Sequence, residues 1–172
     1  DIIVIETDIN EVEGTITVTV KDDPAFDPVF LRVFKQLGIL ENSTWIYKDK
    51  AGIAVEGAVV LVSYFDNYTC SGTPVRYWYL ETDDEGFMIY DADYLVTDFS
   101  NERFYDNGIL TAQLPEGYSW ANNGDLYKDL ADEYNLPLGS ISIQEVWSPK
   151  GYELFKDGDY NINVIKAEIV QT

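Results

Sequence analysis

Most apolar residues along the chain are spaced as they are in β-strands. Residues 15–20 alternate between threonine and an aliphatic residue, which is typical of a strand with one buried face. Residues 2–5 and 58–65 are instead nearly continuous apolar runs rich in β-branched side chains, and such runs predict strands buried on both faces. The hydrophobic pattern therefore predicts a chain dominated by strands.

Two segments show helical spacing instead. In residues 28–37 the apolar positions recur every three or four residues, with Asp27 placed to cap a helix and Gly38 placed to end it. Residues 126–134 show a similar, shorter pattern. Both segments are predicted to be short amphipathic helices.

The remaining elements complete a fold of many short strands. Further strands are predicted at residues 45–47, 75–81, 87–90, 94–97, 109–114, 140–147, 151–156 and 160–171. This pattern predicts a mostly β fold, an immunoglobulin-like or jelly-roll β-sandwich with two short helical insertions. Residues 8–14 form a polar break, so we expect an N-terminal strand and break over 1–13 and a single sandwich domain over 14–172.

The charge of the chain limits its partners. There are 31 acidic and 11 basic residues, for a formal net charge of −20. Such a chain repels nucleic acid and anionic lipid, so neither is expected as a partner. No apolar run is long enough to insert into a membrane. The 13 tyrosines are read as strand formers with a polar tip, and the alternative is a Tyr-rich surface for a partner or sugar.

The residue types that most enzymes need are scarce. Histidine, the commonest general base and transition-metal ligand, is missing from the sequence. The single cysteine, Cys70, excludes an intrachain disulfide and a cysteine zinc site, and is expected to be an inert thiol or, alternatively, to form an intermolecular disulfide. Two carboxylates across a cleft would suit a glycosidase. We nevertheless expect a protein that is not an enzyme.

Calcium is the cation that this acidic chain is best suited to bind, because its ligands are carboxylate and carbonyl oxygens. The candidate ligands are Asp83, Asp84, Asp91, Asp93, Asp157, Asp159 and Asn161. Residues 157–168 have the oxygen spacing of an EF-hand loop, but Ile162 stands where that loop needs glycine. The same spacing is the polar face of a strand, which is the interpretation we favour.

Two sequons, at Asn42 and Asn67, predict glycosylation in an exported protein. The sequence begins with Asp1 rather than methionine, which would suit a mature chain whose leader has been removed or, equally, a trimmed chain. We therefore expect an extracellular or cell-surface location, with glycans attached to these side chains.

The segment over residues 55–90 carries three short motifs of one known module. These motifs are Gly57-Ala58-Val59-Val60-Leu61-Val62, Gly72-Thr73-Pro74-Val75 and Thr82-Asp83-Asp84-Glu85-Gly86-Phe87. In these motifs the segment resembles the carboxypeptidase-regulatory-like, or prealbumin-like, β-sandwich module. The resemblance implies a structural or binding part of a secreted or surface protein, and it implies no catalytic residues.

The N-terminal strand is the segment most directly suggestive of function. Its apolar residues are Ile2, Ile3, Val4 and Ile5. Such a strand either forms an edge of its own sheet or is donated to a neighbouring copy, where it satisfies main-chain groups on both sides. Repeated head to tail, donation gives a filament.

We therefore expect an extracellular structural protein, a homopolymer joined by donor-strand complementation. The alternative is a monomeric carbohydrate-binding or adhesin-like module, with a sugar platform of Trp78, Trp120, Trp147 or tyrosines.

Overall fold

The computed structural model describes residues 7–12, 15–20, 31–35, 38–41, 44–47, 54–152, 154, 156–157, 161–162 and 164–170. In chain order its strands are β1 Thr7–Val12, β2 Thr15–Val20, β3 Arg32–Phe34, β4 Gly38–Glu41, β5 Thr44–Tyr47, β6 Val59–Phe65, β7 Arg76–Glu81, β8 Phe87–Ile89, β9 Tyr105–Asp106, β10 Ile109–Leu110, β11 Gly139–Trp147, β12 Lys156–Asp157, β13 Asn161–Ile162 and β14 Val164–Ile169. Two single 3-10 turns, Ala92–Tyr94 and Glu102–Phe104, separate β8 from β9.

A four-stranded antiparallel sheet, in the order β14-β11-β6-β7, organises the fold. Every residue of its central strand β6 is buried. The nearly continuous apolar run of this strand is what a strand covered on both faces requires, because successive side chains point to opposite faces. The sequence-based prediction of a core strand here is confirmed.

Each face of the sheet carries its own apolar cluster. The first-face cluster consists of Val60, Val62, Tyr64, Trp78, Leu80, Met88, Tyr90, Leu126, Leu136, Ile141, Ile143 and Ile169. The second-face cluster consists of Val59, Leu61, Tyr77, Tyr79, Val96, Phe104, Val146 and Trp147. The first face is covered by β3, β8 and residues from 126–138, and the second by residues from 96–120. The sheet is therefore the middle layer of the fold.

The chain makes a tight turn at Gly86 between β7 and β8. Gly86 has a φ of +79°, and its N–H donates to the Asp83 carbonyl at 3.0 Å. A Cβ at Gly86 would lie 3.0 Å from the Lys35 carbonyl oxygen, so both conformation and space favour glycine. This turn holds β8 against β3, with which it pairs from Arg32–Ile89 to Phe34–Phe87.

The prediction of a mostly β fold is confirmed, and its antiparallel sheets are compatible with a sandwich-like arrangement. The two predicted helices are wrong over the residues that the structure describes. Residues 32–34 form strand β3, in which Leu31 and Val33 pack on the first-face cluster while Arg32 between them is exposed. This alternation has a period of two, and pairing with β8 outweighs the helical spacing of the sequence.

Residues 126–134 form a loop closed by a β-bridge between Lys128 and Tyr134. The Asp129 carboxylate accepts hydrogen bonds from the N–H groups of Ala131 and Glu133, at 2.8 and 3.0 Å. An aspartate that bonds its neighbours in this way offers the main chain an alternative to a helix, which is why the predicted helix does not form.

The predicted polar break at residues 8–14 is also wrong over the part that is described. Strand β1 pairs with β2 in an antiparallel hairpin, from Thr7 opposite Val20 to Val12 opposite Thr15. The hairpin joins residues on both sides of the boundary expected between 13 and 14. Side-chain polarity alone did not reveal this strand because main-chain pairing needs no apolar face.

Candidate functional site

The two edges of the central sheet differ. At the β7 edge, loop residues bond to outward-facing groups of the strand: Asn123 N–H donates to the Tyr77 carbonyl and Val96 N–H to the Tyr79 carbonyl, both at 2.9 Å. The Tyr79 N–H donates to the Asn122 side-chain oxygen at 2.9 Å. Loops therefore occupy the hydrogen-bonding groups of this edge.

At the other edge, β14 pairs with β11 on its inner side, and no strand among the described segments pairs with its outer side. Residues 165–168 are all exposed, and the large apolar side chains Ile165 and Val170 are 52% and 49% exposed. An unpaired strand edge offers a row of N–H and C=O groups to another chain. We define the outer side of residues 164–170 as the β14 edge.

The direction in which each N–H and C=O group of β14 points can be traced from β7, the strand at the opposite edge of the sheet. Directions alternate along a strand, and the outward bonds of Tyr77 and Tyr79 fix the starting point. The registers of the three strand pairs, β7 with β6, β6 with β11 and β11 with β14, carry this alternation across the sheet. The main-chain groups of Ala167 therefore point toward β11, and those of Lys166 and Glu168 point away from it. Lys166 and Glu168 therefore direct their N–H and C=O groups to the side of β14 on which no described strand pairs.

Side chains at the β14 edge also alternate. Ile165 and Ala167 lie on the same face as Ile143 and Ile141, with which they pair, and so continue the first-face cluster toward the edge. Lys166 and Glu168 lie on the opposite face, beside Ser142 and Ser140. The edge is thus apolar on one face and carries one positive and one negative charge on the other.

The predicted assembly strand Ile2–Ile5 lies outside the described residues, as do Asn42 and Asp159. The structure therefore leaves the donor strand, one glycosylation site and one calcium ligand as predictions from the sequence.

Two of the predicted calcium ligands are engaged in local hydrogen bonds. The Asp83 carboxylate accepts from the N–H groups of Glu85 and Phe87 and from the Tyr94 hydroxyl, and Asp91 accepts from the Asp93 N–H. Asp84 and Asp93 are exposed. In the part of the chain that the structure covers, no three acidic or cysteine side chains form a group suited to a metal.

The C-terminal candidates lie on a hairpin. Asp157, at the end of β12, is directly opposite Asn161 in β13, and Glu168 lies within β14. The described members of this set are thus divided among three strands, β12, β13 and β14, and the calcium assignment stays a prediction.

The sequon at Asn67 lies just after β6. The Asn67 side-chain oxygen accepts from the Thr69 N–H at 3.1 Å and the Thr69 hydroxyl at 3.0 Å. The Asn67 side-chain N–H₂ donates to the Ser71 carbonyl at 3.0 Å. Asn67 is half-buried in this turn, and Tyr68 beside it is half-exposed.

Cys70 is half-buried at the end of the same turn. Its thiol donates to the Ile141 carbonyl at 3.2 Å, and its N–H donates to the Ser140 hydroxyl at 3.0 Å. The thiol is thus held against the main chain of β11.

The tryptophans proposed as a sugar platform are core or cluster residues. Trp78 and Trp147 are buried, and their indole N–H groups donate to the Gly124 carbonyl and the Thr111 hydroxyl, both at 3.0 Å. Trp120 is half-buried, with its ring edge-to-face against Tyr79. The platform prediction is wrong for Trp78 and Trp147, because burial leaves no ring face for a ligand.

An ion pair across the first face was not predicted from the sequence. Lys35, just after β3, lies 2.6 Å from the Glu145 carboxylate of β11, which also accepts from the Ser148 hydroxyl. Glu145 is only 7% exposed. A signal was present, because Glu145 shares the inward alternation of Ile141 and Ile143 and thus required a partner.

Burial raises the pKa of several tyrosines in the core. The pKa of Tyr64 rises to about 12, mainly through burial and then through the nearby Tyr127. Burial also raises the pKa of Tyr79 and Tyr90 well above the ordinary value. These hydroxyls have structural partners: Tyr64 donates to the Leu138 carbonyl and Tyr79 to the Ser119 carbonyl, both at 2.7 Å.

Comparison of the chain with protein families, with characterised proteins and with solved structures gives no match. Within the described ranges, no helix has the length and hydropathy that crossing a bilayer demands.

Proposed function

We propose that this protein is an extracellular structural protein, a subunit of a filament or other surface assembly whose copies are joined by β-strand addition at the β14 edge. The observation that carries the proposal is the contrast between the two sheet edges. Loop groups occupy the β7 edge, whereas the outer side of β14 is open in the described structure.

Strand addition suits the composition of this edge. Lys166 and Glu168 together offer two N–H and two C=O groups, and each hydrogen bond made to an added strand contributes about 0.5–1.5 kcal/mol. The exposed Ile165 would also be covered, adding a hydrophobic contribution. The edge is thus suited to one further strand.

Other features of the chain support a structural role outside the cell. The sequence lacks histidine, and its net charge of −20 disfavours nucleic acid and anionic membranes as partners. The sequons at Asn42 and Asn67 and the resemblance of residues 55–90 to prealbumin-like modules fit a surface protein. Calcium at the acidic loops would further stiffen the assembly.

The first experiment measures assembly by light scattering and negative-stain microscopy, in calcium and in chelator. Lys166→Pro removes one outward N–H without removing a bond to β11, and proline is tolerated on edge strands in this orientation. Lys166→Ala is the matched control, since it removes the side chain but keeps the N–H. We expect Lys166→Pro to abolish assembly and Lys166→Ala to retain it.

A companion variant that lacks residues 1–6 tests whether Ile2–Ile5 supply the added strand. Circular dichroism and thermal melting establish that each variant is folded. Wild-type protein that stays monomeric in every condition, or assemblies that tolerate Lys166→Pro, would overturn strand addition at this edge.

A further inference from the structure

We infer that the strand added at the β14 edge is β14 of a second copy, in an antiparallel pairing with Ala167 opposite Ala167 and Lys166 opposite Glu168. This inference rests on the proposed function in one respect, that β14 accepts an added strand. It assigns the partner strand and the register, neither of which follows from the open edge alone.

The direction of the main-chain groups restricts the register. Only the groups of Lys166, Glu168 and the other even-numbered residues point away from β11, so hydrogen-bonded pairs across the new contact must join even-numbered residues. With Ala167 opposite its counterpart, Lys166 and Glu168 of the two copies form such pairs. In this register β14 can therefore form an antiparallel, hydrogen-bonded ladder with β14 of a second copy.

Charge selects among the symmetric registers that remain. A register centred on residue 166 places Lys166 opposite Lys166, and a register centred on residue 168 places Glu168 opposite Glu168. Like charges directly opposite are destabilising in a sheet, and opposite charges are stabilising. The register centred on Ala167 alone pairs each lysine with a glutamate, and the two-fold symmetry makes two such pairs.

The apolar face agrees with the same register. Ile165, which is 52% exposed in one copy, lies opposite Ile169, which belongs to the buried first-face cluster. The small Ala167 side chains at the two-fold axis allow the strands to approach closely. The pairing therefore extends the four-stranded sheet into one of eight strands, with the first-face clusters of both copies on the same side.

A two-fold contact uses the same surface on both copies and closes after two. The β14 pairing thus gives a dimer, and growth into a filament needs a second contact. We assign that contact to the predicted donor segment Ile2–Ile5, because β14 of the second copy fills the β14 edge.

Disulfide trapping tests the register directly. In a Cys70→Ser background, Ala167→Cys places two thiols in a non-hydrogen-bonded pair with Cα atoms about 4.5 Å apart, within the range for a disulfide. Lys166→Cys is the matched control, because two residues of offset separate its two Cα atoms by on the order of 9 Å. In a glutathione redox buffer we expect a covalent dimer from Ala167→Cys and not from Lys166→Cys.

Charge reversal gives an independent readout by sedimentation equilibrium. Lys166→Glu creates two like-charge pairs and should weaken the dimer by about tenfold or more. The exchange Lys166→Glu with Glu168→Lys restores both pairs and should restore the affinity. Lys150→Glu, at another exposed lysine, makes the same change in net charge and should leave the dimer nearly intact.

The outcomes separate this inference from the proposed function. A covalent dimer from Ala167→Cys together with rescue by the charge exchange supports the inference. If Lys166→Pro abolishes assembly while Ala167→Cys stays monomeric and the exchange gives no rescue, another strand occupies the edge, and only the self-pairing is overturned. If no variant alters assembly, both are overturned.

Discussion

Gly139 is the residue at which the position of β11 against β6 can be tested most sharply. Its φ is +146°, and a Cβ built on it would lie 2.2 Å from the Phe65 carbonyl oxygen and 3.1 Å from the Tyr64 ring. The Phe65 oxygen belongs to the main chain of the fully buried β6, so the neighbour cannot move aside cheaply. Gly139→Ala must therefore displace one of the two central strands.

The expected destabilisation is the sum of two effects. A non-glycine residue held at positive φ costs roughly 1–2 kcal/mol, and forcing extra atoms into a packed core costs roughly 1–3 kcal/mol more. We expect Gly139→Ala to lower the free energy of unfolding by about 2–5 kcal/mol. Since domains are stable by only about 5–15 kcal/mol, this is a large fraction of the total.

Gly108→Ala is the matched control. Gly108 has a φ of +79° in the turn between β9 and β10, and its added Cβ would meet nothing within 4 Å. It should therefore show only the conformational cost. Urea unfolding followed by tryptophan fluorescence, with Trp78 buried in the core, reports both variants. If Gly139→Ala proves no less stable than Gly108→Ala, the close approach of β11 to β6 is wrong.

Three further predictions concern buried groups and association. Because burial raises the pKa values of Tyr64, Tyr79 and Tyr90 above 10.0, the stability they contribute is present below pH 10 and is lost progressively at higher pH, through about 12 for Tyr64, which alkaline titration of circular dichroism checks. Thr82→Val should cost about 1–3 kcal/mol by leaving the buried Ala58 N–H and Val55 carbonyl without the Thr82 hydroxyl, whereas Thr82→Ser should retain most of the stability in thermal melts. Self-association should strengthen as salt screens the repulsion between copies with a net charge of −20 each, and sedimentation at two ionic strengths would contradict this if the affinity fell.

The sequence predicted the central sheet well because its strands follow elementary rules of periodicity. The apolar run over 58–65 marked a strand covered on both faces, and the alternation over 140–147 marked its neighbour β11. These strands are determined by burial, which apolar residues report directly. The mostly β fold class was predictable for the same reason.

The predicted helices failed where contacts other than a periodic apolar face decide the structure. Residues 32–34 pair with β8, which lies more than fifty positions later, and the local spacing of apolar residues does not indicate that partner. At residues 126–134, the Asp129 side chain holds a loop that helical periodicity could not reveal. Strand β1 was missed because a hairpin partner, rather than an apolar face, defines it.

The β14 edge could not be predicted from the sequence, for a different reason. A strand was predicted over residues 160–171, but only the sheet order shows that no described strand pairs with one side of β14 and that Lys166 and Glu168 face outward. Glu145 is an intermediate case, since its inward position was readable while its partner Lys35, 110 positions away, was not.

The complete burial of β6 has a consequence for folding during synthesis. Its paired residues in β11 lie 75 to 88 positions further along the chain, and the covering segments over 96–120 and 126–138 also follow it. The apolar run of β6 must therefore emerge from the ribosome and wait, exposed, until most of the domain has been made. Such a segment is prone to aggregate, and contacts so distant in sequence form slowly. Acidic residues flank this run, Glu56 before it and Asp66 after it, and like charges on neighbouring nascent chains oppose their association during that interval.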